Sequence, residues 1–216
     1  MFDKIIAFFA PHECLGCAQE DTLLCTGCIT ALPAARGCCY HCQRVQSSYA
    51  PCAACSKVSP LASVWATTNY EHLAKTLVWH MKFERARAAT TTIASALLAP
   101  PISKQTVIVP IPTATTRMRQ RGYDHAKLIA RHFARLHHVA YAPVLARMGQ
   151  HRQVGASGER RRQQLVTAFR VTQPLADKHV ILIDDVVTSG ATLEAAAATL
   201  RKAGAARVDA TVFARA

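Results

Sequence analysis

The run VILIDDVVTSGAT, residues 180–192, constrains the fold more than any other part of the chain. Val180 to Ile183 are four consecutive apolar residues, mostly β-branched. Such a run reads as a strand buried on both faces of a parallel sheet. Asp184 and Asp185 follow, then a turn built from Thr188, Ser189 and Gly190. From Leu193 to Gly204 the residues are strong helix formers with a basic last turn and a glycine stop. Strand, acidic pair, small polar loop and helix in that order predict an α/β fold. In such folds ligands bind outside the carboxyl ends of the strands.

Each part of the run has a chemical consequence. A loop of small residues lets backbone N–H groups approach a phosphate, and the next helix presents its positive end. Thr188, Ser189 and Thr192 add hydroxyl donors. Phosphate does not explain two carboxylates, because anions repel. Asp184 and Asp185 call for hydroxyl donors, for Mg²⁺, or for both. A sugar with a 5′-phosphate on one side and a 2′,3′-diol on the other satisfies every group. The plainer alternative is a capped helix behind two solvated aspartates.

The run resembles the phosphoribosyl-pyrophosphate (PRPP) signature of type I phosphoribosyltransferases. The resemblance implies that Asp184 and Asp185 hold the ribose hydroxyls. It implies that Val187, Thr188, Ser189, Gly190, Ala191 and Thr192 hold the 5′-phosphate. Purine-salvage members usually carry an Asp, proposed as general base, where this chain has Thr188. A purine acceptor is therefore not expected, and no catalytic residue is assigned.

A second feature lies upstream. Residues 14–55 hold four Cys-x-x-Cys pairs: Cys14/Cys17, Cys25/Cys28, Cys39/Cys42 and Cys52/Cys55. Two such pairs give the tetrahedral four-sulfur shell that zinc prefers. The pairs can combine in sequence or crosswise. A disulfide framework is the rival, but it belongs to exported proteins. Asp3 beside Lys4 gives no basic leader, and residues 5–10 fall far short of the roughly 20 needed to span a bilayer. Those residues are expected to form a helical turn beside the cysteines. Cys38 is left over. His12 and His41 are expected to be bystanders. A closed four-thiolate shell is structural, and the metal is expected to supply most of the folding energy of this small segment.

The excess charge of +13 is unevenly placed. Residues 1–60 balance, with Lys4, Arg36, Arg44 and Lys57 against Asp3, Glu13, Glu20 and Asp21. Residues 117–170 hold twelve Lys or Arg against Asp124 and Glu159. A basic segment of this kind suits a polyanion, PRPP or nucleic acid. A merely solvated basic surface is the alternative.

The rest of the chain alternates strands and helices. Pro60 and Ser63 mark a boundary, Val64 to Ala66 lead as a strand to a turn at residues 69–71, and residues 73–83 form a helix with Leu73, Leu77, Val78 and Met81 inward. Trp79 and Phe83 are expected in core or interdomain packing. A second helix runs to about Leu98 before Pro100 and Pro101. Residues 106–112 form another buried strand. Residues 127–138 form an amphipathic helix with Leu128, Ile129, Phe133 and Leu136 inward. Met148 to Gly158 has no period and is a candidate lid. Residues 168–171 and 207–215 read as strands.

Taken with the cysteine pairs, these segments resemble the ComF family, which joins a double zinc ribbon to a phosphoribosyltransferase-like domain. Lys82 and Phe83 match a recurring Lys-Phe. Arg119, Arg121, Gly122 and Tyr123 match R-x-R-G-[FY]-N-Q, with Asp124 and His125 in place of Asn and Gln. Gln153, Arg161, Ala168 and Phe169 match a later motif, with Ala156 for Leu and Gln164 for Asn. The resemblance implies pyrophosphate or polyanion contacts at Arg119, Arg121 and Arg161. It implies a type I phosphoribosyltransferase-like, mainly parallel sheet flanked by helices, residues 61–216, behind a zinc-ribbon module, residues 1–60. Two structural zinc ions and Mg²⁺ with PRPP are the expected cofactors. The family link is to natural transformation, with single-stranded DNA and other DNA-uptake proteins as expected partners. The expected location is cytoplasmic, at most peripheral on the inner face of the membrane. Three functions fit: a PRPP-binding component of DNA uptake, a phosphoribosyltransferase on another acceptor, or a PRPP-sensing regulator without turnover.

Overall fold

The structure is a computed structural model that describes residues 12–84, 87–148 and 168–216. The turn expected at residues 5–10 and most of the candidate lid lie outside the described residues. A five-stranded parallel sheet forms the body. Its strands are β1 (Ser63–Asn69), β2 (Thr106–Pro110), β3 (Ala140–Tyr141), β6 (His179–Val187) and β7 (Arg207–Arg215), in the order β1-β7-β6-β2-β3. β4 (Leu145–Arg147) and β5 (Phe169–Val171) pair antiparallel as a separate ribbon. The helices are α1 (Thr26–Thr30), α2 (Ala53–Ser56), α3 (His72–Phe83), α4 (Ala88–Ala96), α5 (Thr115–Arg121), α6 (His125–Leu136) and α7 (Ala191–Lys202).

The apolar run of β6 is central because both faces of the sheet need it. Val180 and Leu182 face a core completed by Leu193, Ala196, Ala197 and Leu200 of α7. Ile181 and Ile183 face the opposite core, with Leu77 and Met81 of α3, Ile93 of α4 and Ile129 and Phe133 of α6. All four strand residues are fully buried. Each isoleucine contributes roughly 1.5–3 kcal/mol by leaving water. β7, the last strand in the sequence, lies inside the sheet between β1 and β6.

Two packing expectations are overturned. Trp79 and Phe83 are 47% and 64% exposed. The buried stripe of α3 is Ala74, Leu77, Val78 and Met81, at helical spacing, which turns residues 79 and 83 away from the sheet. Their rings instead lie 6.0 Å apart on the surface. Leu136 is also exposed. It is the last residue of α6, whose inward face is made by Ala126, Ile129, Ala130, Phe133 and Ala134.

The cysteine segment is docked on this body. Ala34 bridges Thr68 of β1, and the Thr68 hydroxyl donates to Pro33 O at 2.8 Å. Its apolar residues do more than fill the segment itself. Leu23 and Leu24 join the core on the α3 face, and Tyr40 joins the core on the α7 face. The two halves of the segment therefore sit on opposite faces of the sheet.

Candidate functional site

β6 and β2 run parallel and deliver Asp184 and Asp185 to the carboxyl end of the sheet. There the polypeptide turns at Gly190, whose φ is +74°. A Cβ at Gly190 would also lie 2.9 Å from Tyr40 Cδ2. Both facts require glycine. Gly190 caps α7 and has no side chain to offer the helix, so no side chain closes that N-terminus from the cap position. Thr188 and Ser189 are exposed beside it. Backbone donors, two hydroxyls and a helix N-terminus make an anion cradle.

The two carboxylates are held differently. Asp185 is buried, and its Oδ2 meets Lys82 Nζ at 2.6 Å and His125 Nε2 at 3.3 Å. Its Oδ1 accepts from Val186 N at 2.7 Å. Burial opposes its charge, but the His125 hydrogen bond and the Lys82 ammonium outweigh burial and hold the carboxyl well below the usual range. Asp184 is half-buried and accepts from Asp185 N at 2.9 Å. Burial, and then the neighbouring charge of Asp185, push its carboxyl well above the usual range. Asp184 is thus a carboxylate short of partners, ready for a hydroxyl donor or a cation.

Lys82 and His125 were not assigned to the site from sequence. Lys82 lies in the last turn of α3 and His125 begins α6, so each arrives from a different helix. Tyr123 ties these elements together: it is buried, and its hydroxyl donates to Met81 O. Gly122, at φ +78°, ends α5 in the left-handed conformation. Asp124 caps α6, accepting from Lys127 N at 3.2 Å and from the Thr113 hydroxyl at 3.0 Å. An Asp there performs the capping role without an amide. Its neighbour His125 is the residue that reaches the acidic pair. Arg119 is exposed on α5; the side chain of Arg121 and all of Arg161 lie outside the described residues.

The cysteines combine in sequence rather than crosswise. Cys14, Cys17, Cys25 and Cys28 bring their Sγ atoms within 4.8 Å of one another, and Cys39, Cys42, Cys52 and Cys55 do the same. Backbone donors point at the sulfurs, with Cys25 N at 3.4 Å from Cys14 Sγ and Cys28 N at 3.4 Å from Cys25 Sγ. Burial opposes a charge on Cys14 and Cys39. Backbone N–H groups nevertheless lower each thiol to about 6. Cys28 and Cys55 are pushed up to about 12, first by the side chains of Cys25 and Cys52. Four soft donors this crowded, already favouring a thiolate, fit a tetrahedral Zn²⁺. Cys38 belongs to neither cluster. It is buried and its sulfur receives Arg215 Nη1.

His125, Asp184 and Asp185 also lie close enough to share a cation. The Lys82 ammonium already occupies Asp185 Oδ2. A hard cation here would therefore rest on Asp184 and on oxygens brought by a ligand.

Comparison with known proteins places this arrangement. Residues 103–216 match the model of the phosphoribosyl transferase domain. The DNA utilization protein YhgH of Escherichia coli O157:H7 is 27% identical over 210 residues, covering 91% of this chain and 86% of that protein. Competence protein F of Haemophilus influenzae is 29% identical over 211 residues, covering 89% and 90%. Among solved structures, an allosteric regulatory enzyme of purine biosynthesis overlaps 61% of this chain at TM-score 0.36 and 16% identity. This chain spans only 25% of that one. The domain match covers more than half of the chain, and each of the two relatives covers about nine-tenths of it: the chain belongs to the phosphoribosyltransferase domain family, in its ComF branch.

Proposed function

We propose that the carboxyl end of the sheet binds PRPP with Mg²⁺, and that the protein uses this site in DNA uptake, on single-stranded DNA. Asp184 and Asp185 take the ribose hydroxyls, and residues 187–192 take the 5′-phosphate. Arg119, Arg121 and Arg161 contact pyrophosphate or the polyanion. The observation that carries the reading is Asp184, half-buried beside the charged Asp185 and one turn from an anion cradle. A ligand with a diol at one end and a phosphate at the other relieves both. The relatives named for DNA utilization and for competence support the cellular role. In this reading residues 1–60 are a double zinc ribbon and residues 61–216 the PRPP-binding unit. Among the described residues no helix is long and apolar enough to cross a membrane.

Calorimetric titration tests the ligand. PRPP with Mg²⁺ should bind more tightly than ribose 5-phosphate, and pyrophosphate alone more weakly than PRPP. Equal affinity for pyrophosphate and PRPP would remove the diol from the reading. Single-stranded DNA should bind with an affinity that falls steeply as salt rises. Release of pyrophosphate in the presence of a nitrogenous acceptor would make the protein a transferase rather than a binding component.

A further inference from the structure

The second cysteine cluster reaches the phosphate loop. Cys39 and Cys42 flank Tyr40 and His41, so the tip of that knuckle carries both side chains. Tyr40 is fully buried, and its ring lies so close to Gly190 that no side chain fits there. The Tyr40 hydroxyl is fixed by Ser59 Oγ. His41 Nδ1 meets Glu194 Oε1 at 2.7 Å. Glu194 is the acidic residue of the first turn of α7. Left loose, its carboxylate could fold back on the open N–H groups of that turn, or repel a phosphate there. Where the loop begins, Arg215 is the β7 partner of Val187, and its Nη1 meets Cys38 Sγ. Contacts from residues 38, 40 and 41 thus bracket the loop from Val187 to Glu194. The first cluster lies on the other face of the sheet, among residues of the α3 core.

We propose that the second cysteine cluster is part of the ligand site: Tyr40 and His41 are positioning residues that hold the Gly190 turn and the first turn of α7. Metal at this cluster and phosphate at the loop then stabilise each other, and the first cluster takes no part. This rests on the readings of PRPP at the loop and zinc at the clusters. Coupling between two ligands is reciprocal. PRPP must therefore tighten one zinc site, which at an unchanged rate of zinc association appears as slower metal loss, and loosening the knuckle must weaken PRPP.

The test follows zinc release from the full chain into a colorimetric chelator, with and without PRPP and Mg²⁺. Release should have two phases, and PRPP should slow one of them about tenfold, within the usual range of such coupling. The Asp184→Asn/Asp185→Asn variant under the same PRPP should show no slowing, which separates the effect from chelation by PRPP itself. Tyr40→Ala should weaken PRPP on the order of tenfold, and Tyr40→Phe, which keeps the ring over Gly190, should restore it. Leu24→Ala, beside the first cluster, should lower stability and leave PRPP affinity in place. Two zinc phases indifferent to PRPP in a parent protein that binds it, or full affinity in Tyr40→Ala, overturns the coupling alone. A parent protein that binds no PRPP overturns the ligand reading and the coupling with it.

Discussion

At the start of β6, His179 Nε2 meets Asp209 Oδ2 at 2.6 Å; at its end, Asp184 and Asp185 stand side by side. The first acid is fully provided for. Arg207 Nε donates to Asp209 at 2.6 Å and the Ser63 hydroxyl at 2.5 Å. The Trp65 indole N–H donates in turn to Ser63 Oγ at 2.7 Å. Burial opposes the charge on Asp209, but the hydrogen bonds from His179, Arg207 and Ser63 bring its carboxyl down to about 2. The pair at the other end has one cation and one imidazole for two carboxylates, and both make their ion pairs with Asp185. Asp209 joins β1, β6 and β7 where the strands begin, and its chemistry is complete. Asp184 is incomplete where ligands bind. The contrast separates an acid that holds the fold from an acid that waits for a partner.

The contrast can be broken in four ways. Asp209→Asn should be the most damaging, at about 3 kcal/mol, because it leaves buried donors without their anion. Denaturant unfolding should show that loss, with PRPP affinity unchanged. The acid arm comes next. The folded pKa of Asp209 lies below its unfolded value of about 3.9, so its contribution is complete above that pH. It is lost as pH falls towards 2, on the order of 2 kcal/mol. An acid-unfolding curve of Asp209→Asn should lack this arm. Lys82→Met should cost roughly 1–2 kcal/mol, since Asp185 then keeps only His125 and its backbone donor. The smallest effect has the opposite sign. The raised folded pKa of Asp184 favours its neutral form, so that stabilisation is lost as pH rises through the folded value. Asp184→Asn should therefore gain up to about 1 kcal/mol over the parent at pH 8 in the absence of ligand. A loss as large as that of Asp209→Asn would erase the distinction.

Much of this arrangement was legible in the residues. β6, its acidic pair, the Gly190 turn and α7 are contiguous, so one local pattern carries them all. The cysteine spacing is equally local, although it left sequential and crosswise pairing open; the docking of each half on its own face of the sheet settles that. What escaped is long-range. Lys82 and His125 reach Asp185 from two separate helices, and only the tertiary fold brings them there. Asp209 looked like one polar residue in a strand, and its partners Ser63, His179 and Arg207 come from three strands. Trp79, Phe83 and Leu136 were misplaced because apolar character alone was read as burial. A helix face already filled by Leu77, Val78 and Met81, or by alanines around Ile129 and Phe133, leaves no room for more. His41, read as a bystander to the metal, makes its contact elsewhere, with Glu194 at the far end of the sequence.

Thermal unfolding of the parent and of Asp184→Asn/Asp185→Asn, each with and without PRPP and Mg²⁺, tests the central claim most directly. At a ligand excess of about 100 times Kd, linkage gives roughly 2.7 kcal/mol of stabilisation. For a chain of this size that is a rise of several degrees in Tm. The account predicts that rise in the parent and none in the double variant, each measured from its own unliganded Tm. An equal rise in both proteins, or none in the parent, would contradict it.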